Sequence, residues 1–364
     1  MGKKLNENTN MFWFSKFAKE YESFGFAIDT DSHNNSIAVA NLFNGKTYRS
    51  SVLKYNEKGK IMWAKEYCAE EQDMAYDVSV DSNDNIIVAG FEGSWTNDPL
   101  PNGSAYILKY NENGVLLWKK TFKKGICTMG FGVKNDSKDN IYLLSTYFKN
   151  GEPNLACLII KYDKTGKKIW DQTYHEHYMD IPYSLTIDSE DNVIIVGYSF
   201  TPFKFKGSFT GGFLSLKYDG QGKKLWHKRH LSFENSEALD VAVDSHDNIV
   251  LIGNNDQDLI VIKISKIGNA LWERRYRTKY AHVPYGVVIN SKDEIIVGGN
   301  SFSSGKPKTI FLVKYDSNGK LESIKKSEIN GIIFDISIDL SGSIISVGES
   351  IGIKNEFYIS KEEI

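Results

Sequence analysis

The side chains that could do chemistry in this chain fall in three places. The first is His175-Glu176-His177 with Asp180 close by, the one ligand-like spacing among seven histidines. Two imidazoles two residues apart beside a carboxylate could hold zinc or another divalent ion. Only two strong ligands are local there, and a solvated polar connection accounts for the same residues, since tight sites need more ligands in fixed geometry. The second is a set of charges inside short apolar segments: Asp77 in YDVSV, Lys134 in FGVKN, Asp240 in LDVAV and Asp335 in FDISI. A charge among apolar residues is costly unless it is paired or wet, so these four line a water-filled space or pair with each other. The third is a group of aromatic and histidine residues in the connections YHEHYMDIPY and YRTKYAHVPY: Tyr174, Tyr178, Tyr280 and His282. Trp95, in the long segment FEGSWTNDPLPNG, joins them as a loop anchor or a binding hot spot.

Several chemistries lack their residues. There is no G-x-S-x-G elbow and no P-loop. Cys68, Cys127 and Cys157 form no CxxC and no zinc spacing, and an odd, sparse count argues against a disulfide framework. With 44 basic and 46 acidic residues the net charge is −2, so nothing calls for nucleic acid as a partner. No apolar run is long enough for a transmembrane helix, and MGKKLNENTN has no signal-peptide core. The residues as given point to the cytoplasm, and to export if a leader has been removed.

What must position these side chains is a tandem repeat. One motif reads KYNEKGKIMW, KYNENGVLLW, KYDKTGKKIW, KYDGQGKKLW, KISKIGNALW and KYDSNGKLES, with a seventh, looser copy ending at Trp13. A second motif alternates with it, as in DSNDNIIVAG, DSEDNVIIVG and DSHDNIVLIG. In the first, Asn or Asp opens a turn and Gly supplies positive φ between two strands. In the second, a polar turn leads into a short apolar strand of the kind buried on both faces. Each repeat therefore holds four strands, a to d from the axis outward, which is the signature of a β-propeller blade. In the second repeat they are expected near 76–81, 86–91, 105–110 and 116–122. The chain is expected to be one all-β domain, 1–364, a seven-bladed propeller of four antiparallel strands per blade. The segment around Trp13 reads as strand d of the last blade, and EFYISKEEI as its strand c, which closes the ring and removes exposed edges.

On these residues the repeat resembles the bacterial SBBP-type β-propeller repeat, whose units run from a Tyr-Asp-x-x-Gly turn through an Asp-Gly-Asn-type turn to a strand ending in Gly. The KYDKTGKKIW turn is also similar to the tryptophan-docking motif of quinoprotein-type propellers. That second resemblance implies a packing role for the tryptophans. It does not extend to the quinone, because no Cys-Cys pair is present.

Aligned on the aromatic that starts strand a, the next residues are Gly25, Asp77, Gly132, Ser184, Asp240, Gly286 and Asp335, and two positions on stand Ala27, Ser79, Lys134, Thr186, Ala242, Val288 and Ser337. Small residues suit a crowded axis. Asp77, Lys134, Asp240 and Asp335 depart from that pattern, and Lys134 is expected to face a net-negative channel together with Asp77. The expected function is a binding or scaffold propeller for a protein, carbohydrate or small ligand. The alternative is a hydrolase or lyase with an axial site, divalent-metal dependent. No cofactor is expected beyond a divalent cation, and the chain is expected to be a monomer.

Overall fold

In the computed structural model the described residues are 11–17, 21–69, 72–94, 102–148, 154–202, 209–230, 236–255, 257–327, 329–352 and 354–364. They form twenty-eight strands, with antiparallel neighbours in each repeat. Five four-stranded blades stand as separate sheets, where the sequence anticipates seven. The remaining eight strands, from Glu22 to Phe122, hydrogen-bond as one sheet, because Tyr48 and Gln72 make a single parallel bridge between the first and second repeats. In the second repeat the strands are Gln72–Val80, Ile86–Ser94, Asn102–Tyr110 and Leu116–Phe122. The inner three run past the expected limits at the loop end, because residues around the d–a and b–c connections continue the ladder.

The turns form as their residue types require. Asn56 Oδ1 accepts the amides of Lys58 and Lys60, and Gly59 takes φ of 74° to complete the turn. In the a–b turn, Asp81 Oδ1 accepts the amides of Asn83 and Asn85, and the left-handed position falls on Asp84 at φ 57°. Strands b and c are buried along almost their whole length, whereas strand d is not, as Ile61–Tyr67 illustrates.

Three contacts recur from repeat to repeat, the first and third between neighbouring blades and the second within each blade. The first is the tryptophan. Trp63 Nε1 donates to Glu112 O, Trp170 to Gly220 O, Trp226 to Lys266 O and Trp272 to Ser317 O, each in the following repeat. Each ring also covers the turn glycine there, as Trp170 covers Gly222. The second is a buried ion pair between the Lys of the K-Y motif and the first Asp of the D-S motif. Lys54–Asp31, Lys109–Asp81, Lys161–Asp136, Lys217–Asp188 and Lys263–Asp244 lie 2.6–2.9 Å apart. Where Asn290 replaces the Asp, Lys314 turns to Glu294. Burial alone would raise the Asp136 carboxyl. The Lys161 ammonium, Asn140 and backbone amides outweigh it and hold the group below its usual range. The third is a relay from the Ser of one turn to the left-handed Asp of the next: Ser32 to Asp84, Ser82 to Asp139, Ser137 to Asp191, Ser189 to Asp247 and Ser245 to Asp293.

The ends of the described chain meet as expected. Met11–Phe17 pairs antiparallel with Glu356–Glu362, and Trp13 Nε1 donates to Glu57 O of the first repeat. The N-terminal strand is thus the outermost strand of the C-terminal blade, and its tryptophan continues the docking pattern across the seam.

Candidate functional site: an axial cavity with an aromatic collar

Each innermost strand carries a β-bulge at the same place. The extra residue is Phe26, Tyr76, Phe131, Tyr183, Leu239, Tyr285 or Phe334. A bulge re-aims its side chain, and here it turns these residues onto the axis. The rings touch in sequence: Tyr285 with Phe334 at 5.7 Å, Phe334 with Phe26 at 5.5 Å, Phe26 with Tyr76 at 5.7 Å, and Tyr76 with Phe131 at 5.2 Å. Beside this collar lies a cavity of about 610 Å³, lined from every repeat.

All four charged residues singled out in the sequence, Asp77, Lys134, Asp240 and Asp335, line that cavity. A fifth, Asp29, lines it too and was missed. The bulge in the first repeat falls at Phe26, not Phe24, so the residues in register with Asp77 and Lys134 are Ala27 and Asp29 rather than Gly25 and Ala27. Counting back from the turn aspartate would have found this. Asp29 precedes Asp31 by the same two residues by which Lys134 precedes Asp136.

The carboxylates have a structural duty as well. Neighbouring innermost strands face each other across a gap, and their amides would otherwise lack acceptors. Asp77 accepts the amide of Val133 at 2.7 Å and that of Val78 at 2.8 Å. Asp335 accepts those of Ile28 and Ile336, and Asp29 those of Val80 and Thr30. Asp240 accepts the Val287 amide and the Ser184 hydroxyl. One backbone amide or hydroxyl on each oxygen leaves acceptor capacity on every carboxylate.

Burial pushes all four carboxyls up. Asp77 reaches about 6, with Lys134 and the Val133 and Val78 amides opposing the rise. Asp335 is raised well above the usual range by burial and then by the charge of Asp240. Asp29 and Asp240 move the same way, burial again leading. Lys134 is set deep in the protein, which disfavours its charge, yet Asp77, Asp29, Asp335 and Asp240 together hold its ammonium above the ordinary lysine value. The interaction with Asp77 acts across space. No described carboxylate lies within 4.0 Å of Lys134 Nζ, and no described hydrogen bond uses its three donors.

The other candidates are placed differently. Tyr174 is not on the loop face. It is 3% exposed and packs between blades in register with Tyr67 and Tyr276, because it follows Trp170 by four residues on the same strand face. His282 is also buried, and it caps its own loop. One ring nitrogen meets Thr278 Oγ1 at 2.7 Å and the other Ser301 Oγ at 3.0 Å, and burial lowers its pKa. Tyr178 is exposed beside Phe200, and Tyr280 is half-buried under Lys279. Trp95 lies outside the described residues.

The proposed metal set does not assemble. Asp180 is fully buried and accepts the amides of Glu176 and His177 and the Ser199 hydroxyl, with His177 Nδ1 at 3.2 Å. It organises the loop, and His175 does not join it. Among the described residues the one group of three metal-type donors within reach of each other is Asp31, His33 and Asp84. There Asp31 is bound to Lys54 within its blade and Asp84 to Ser32 of the preceding repeat, the recurring contacts described above.

No protein-family model matches the chain. An uncharacterised WD repeat-containing protein of Acanthamoeba polyphaga mimivirus is 28% identical over 115 residues, which cover 28% of this chain. The match spans only 8% of that relative's length. Among solved structures, a polysaccharide lyase, an ulvan lyase bound to an oligosaccharide, superposes with a TM-score of 0.62 at 10% identity over 96% of both chains. YCF48 with a bound peptide gives 0.54 at 9% identity, covering 98% of this chain and 97% of that one. The extracellular domain of a hybrid two-component system of B. thetaiotaomicron gives 0.57 at 10% identity, covering 98% of this chain and 40% of the other. No helix among the described residues is long and apolar enough to cross a membrane. With the repeated sheets and the closed seam, these likenesses assign the chain an all-β propeller fold built from four-stranded antiparallel blades.

Proposed function

We propose that the chain is a single-domain binding propeller of seven blades, SBBP-like in its repeat, that receives a cationic ligand in its axial cavity. The count of seven is supported by the eight-stranded sheet, which divides between Tyr67 and Gln72 into two four-stranded sets held by one bridge. The observation that carries the ligand reading is the charge of the cavity. Four carboxylates face a single ammonium, beneath a collar of aromatic rings. Ring faces attract cations, more strongly where water is partly excluded, and a confined site of one sign concentrates counter-ions. The named neighbours bind peptide or polysaccharide, which supports the general use of the scaffold for binding. A hydrolase or lyase at the same axis draws support from the ulvan lyase likeness, but no histidine among the described residues lines the cavity to serve as a base.

The test is a thermal-shift panel of organic and inorganic cations against the full chain and the double variant Asp240→Asn/Asp335→Asn. At least one cation class should raise Tm at millimolar concentration, and the rise should vanish in the folded double variant. A panel in which neutral sugars stabilise the chain and no cation does would overturn the reading.

A further inference from the structure

The shape of the charged track narrows the ligand. The acids are layered along the axis rather than gathered at one point. Asp77, Asp240 and Asp335 follow one residue past the bulge, and Asp29 and Lys134 three residues past it. At ~3.3 Å per strand residue these two layers stand roughly 7 Å apart along the axis. No three of the axial carboxylates bring oxygens within 4.8 Å of one another among the described residues, so they do not converge on a compact ion. The cavity, at about 610 Å³, also far exceeds one.

The protein itself shows what such a track accommodates. Lys134 extends an unbranched alkylammonium into the cavity, deep and without a contact partner among the described residues, and the acids around it favour its charged form. Asp29 and Asp77 belong to the two repeats that precede it. Asp240 and Asp335 have no such cation in their own repeats. They belong to the repeats on either side of Gly286, where the inner strands approach so closely that a Cβ would lie 2.8 Å from the Ile336 amide and 3.1 Å from Asp335 Oδ1.

Resting on the cation-receptor reading above, we infer that the axial cavity selects an unbranched alkylammonium chain, threaded through the aromatic collar with its ammonium between Asp240 and Asp335. The methylenes lie against the rings and the charge lies beyond them. The same chemistry is offered by a free linear diamine or polyamine and by a lysine side chain of a peptide. A compact branched or planar cation, unlike the Lys134 side chain, has no alkyl stem to lie along the rings while its charge reaches beyond them.

The experiment is isothermal titration of the full chain with cadaverine, spermidine, an N-acetyl-lysine-amide peptide, tetramethylammonium, guanidinium and magnesium chloride. Cadaverine or the lysine peptide should bind at least tenfold more tightly than tetramethylammonium or guanidinium, and whichever of the two binds identifies the source. Lys134→Met, which removes the resident cation, should strengthen the linear amines several-fold, and Asp240→Asn/Asp335→Asn should weaken them at least tenfold. Circular dichroism checks that each variant is folded. Tetramethylammonium or guanidinium binding as tightly as the linear amines would overturn this inference while leaving the axial cation site standing. No binding of any cation would defeat the site itself. Weaker linear-amine binding in folded Lys134→Met would also refute the threading, since that lysine would then be a partner of the ligand rather than its stand-in.

Discussion

The docking of each tryptophan on the next turn glycine can be tested as a coupling. Gly222 has φ of 86°, and a Cβ built there would sit 2.9 Å from Trp170 Cδ2. Gly222→Ala therefore carries two penalties. Placing an L-residue in the left-handed region costs roughly 1–2 kcal/mol, and crowding the indole face adds about 1 kcal/mol more. Trp170→Ala removes a half-buried ring that contacts Tyr142 edge-on and donates to Gly220 O at 3.1 Å. Full emptying of a buried aromatic costs about 3–5 kcal/mol, so a half-exposed ring is worth roughly 2–3. In the double variant the ring is absent, and only the backbone penalty of an alanine in the left-handed region remains. The two changes should then be less than additive by about 1 kcal/mol. Urea unfolding of the four proteins, with m-values compared, measures the cycle. Equal costs of Gly222→Ala with and without the indole would refute the idea that the glycine is there for the tryptophan.

Two further outcomes follow from the buried charges. Because burial lifts Asp77 in the folded chain to about 6, from an unfolded value near 3.8, its contribution is full below the unfolded value and is lost as pH rises through the folded one. Asp77→Asn removes that dependence, so the stability of the variant relative to the wild type should improve from about pH 4 to about pH 7 by on the order of 2 kcal/mol; a difference that is flat or falling over that window contradicts the burial argument. Lys161→Met leaves Asp136 buried without its ammonium and should cost about 3–5 kcal/mol, whereas Lys161→Met/Asp136→Leu should recover much of the loss; a single variant as stable as the wild type would show the pair to be idle.

The repeat was readable from the sequence because its marks are local. Turn glycines, the Asn or Asp that opens each turn, and a tryptophan at fixed distance follow from backbone conformation alone, and they recur often enough to set the four-strand period. The closing strand at Trp13 followed from the same pattern. Asp77, Lys134, Asp240 and Asp335 could be picked out because charges interrupt short apolar strands. Asp29 escaped because FGFAI offers two aromatics two residues apart, and only the bulge decides that Phe26 is the one turned inward. The Lys–Asp pairs are invisible locally, since they form between strand c and the a–b turn, far apart in the chain. Tyr174 and His282 had the composition of a binding face, but packing between blades and a loop cap claimed them. Local backbone preference repeats along the chain and is written in residue spacing. The axial cavity exists only where all the inner strands meet, so tertiary structure alone decides which charges share it.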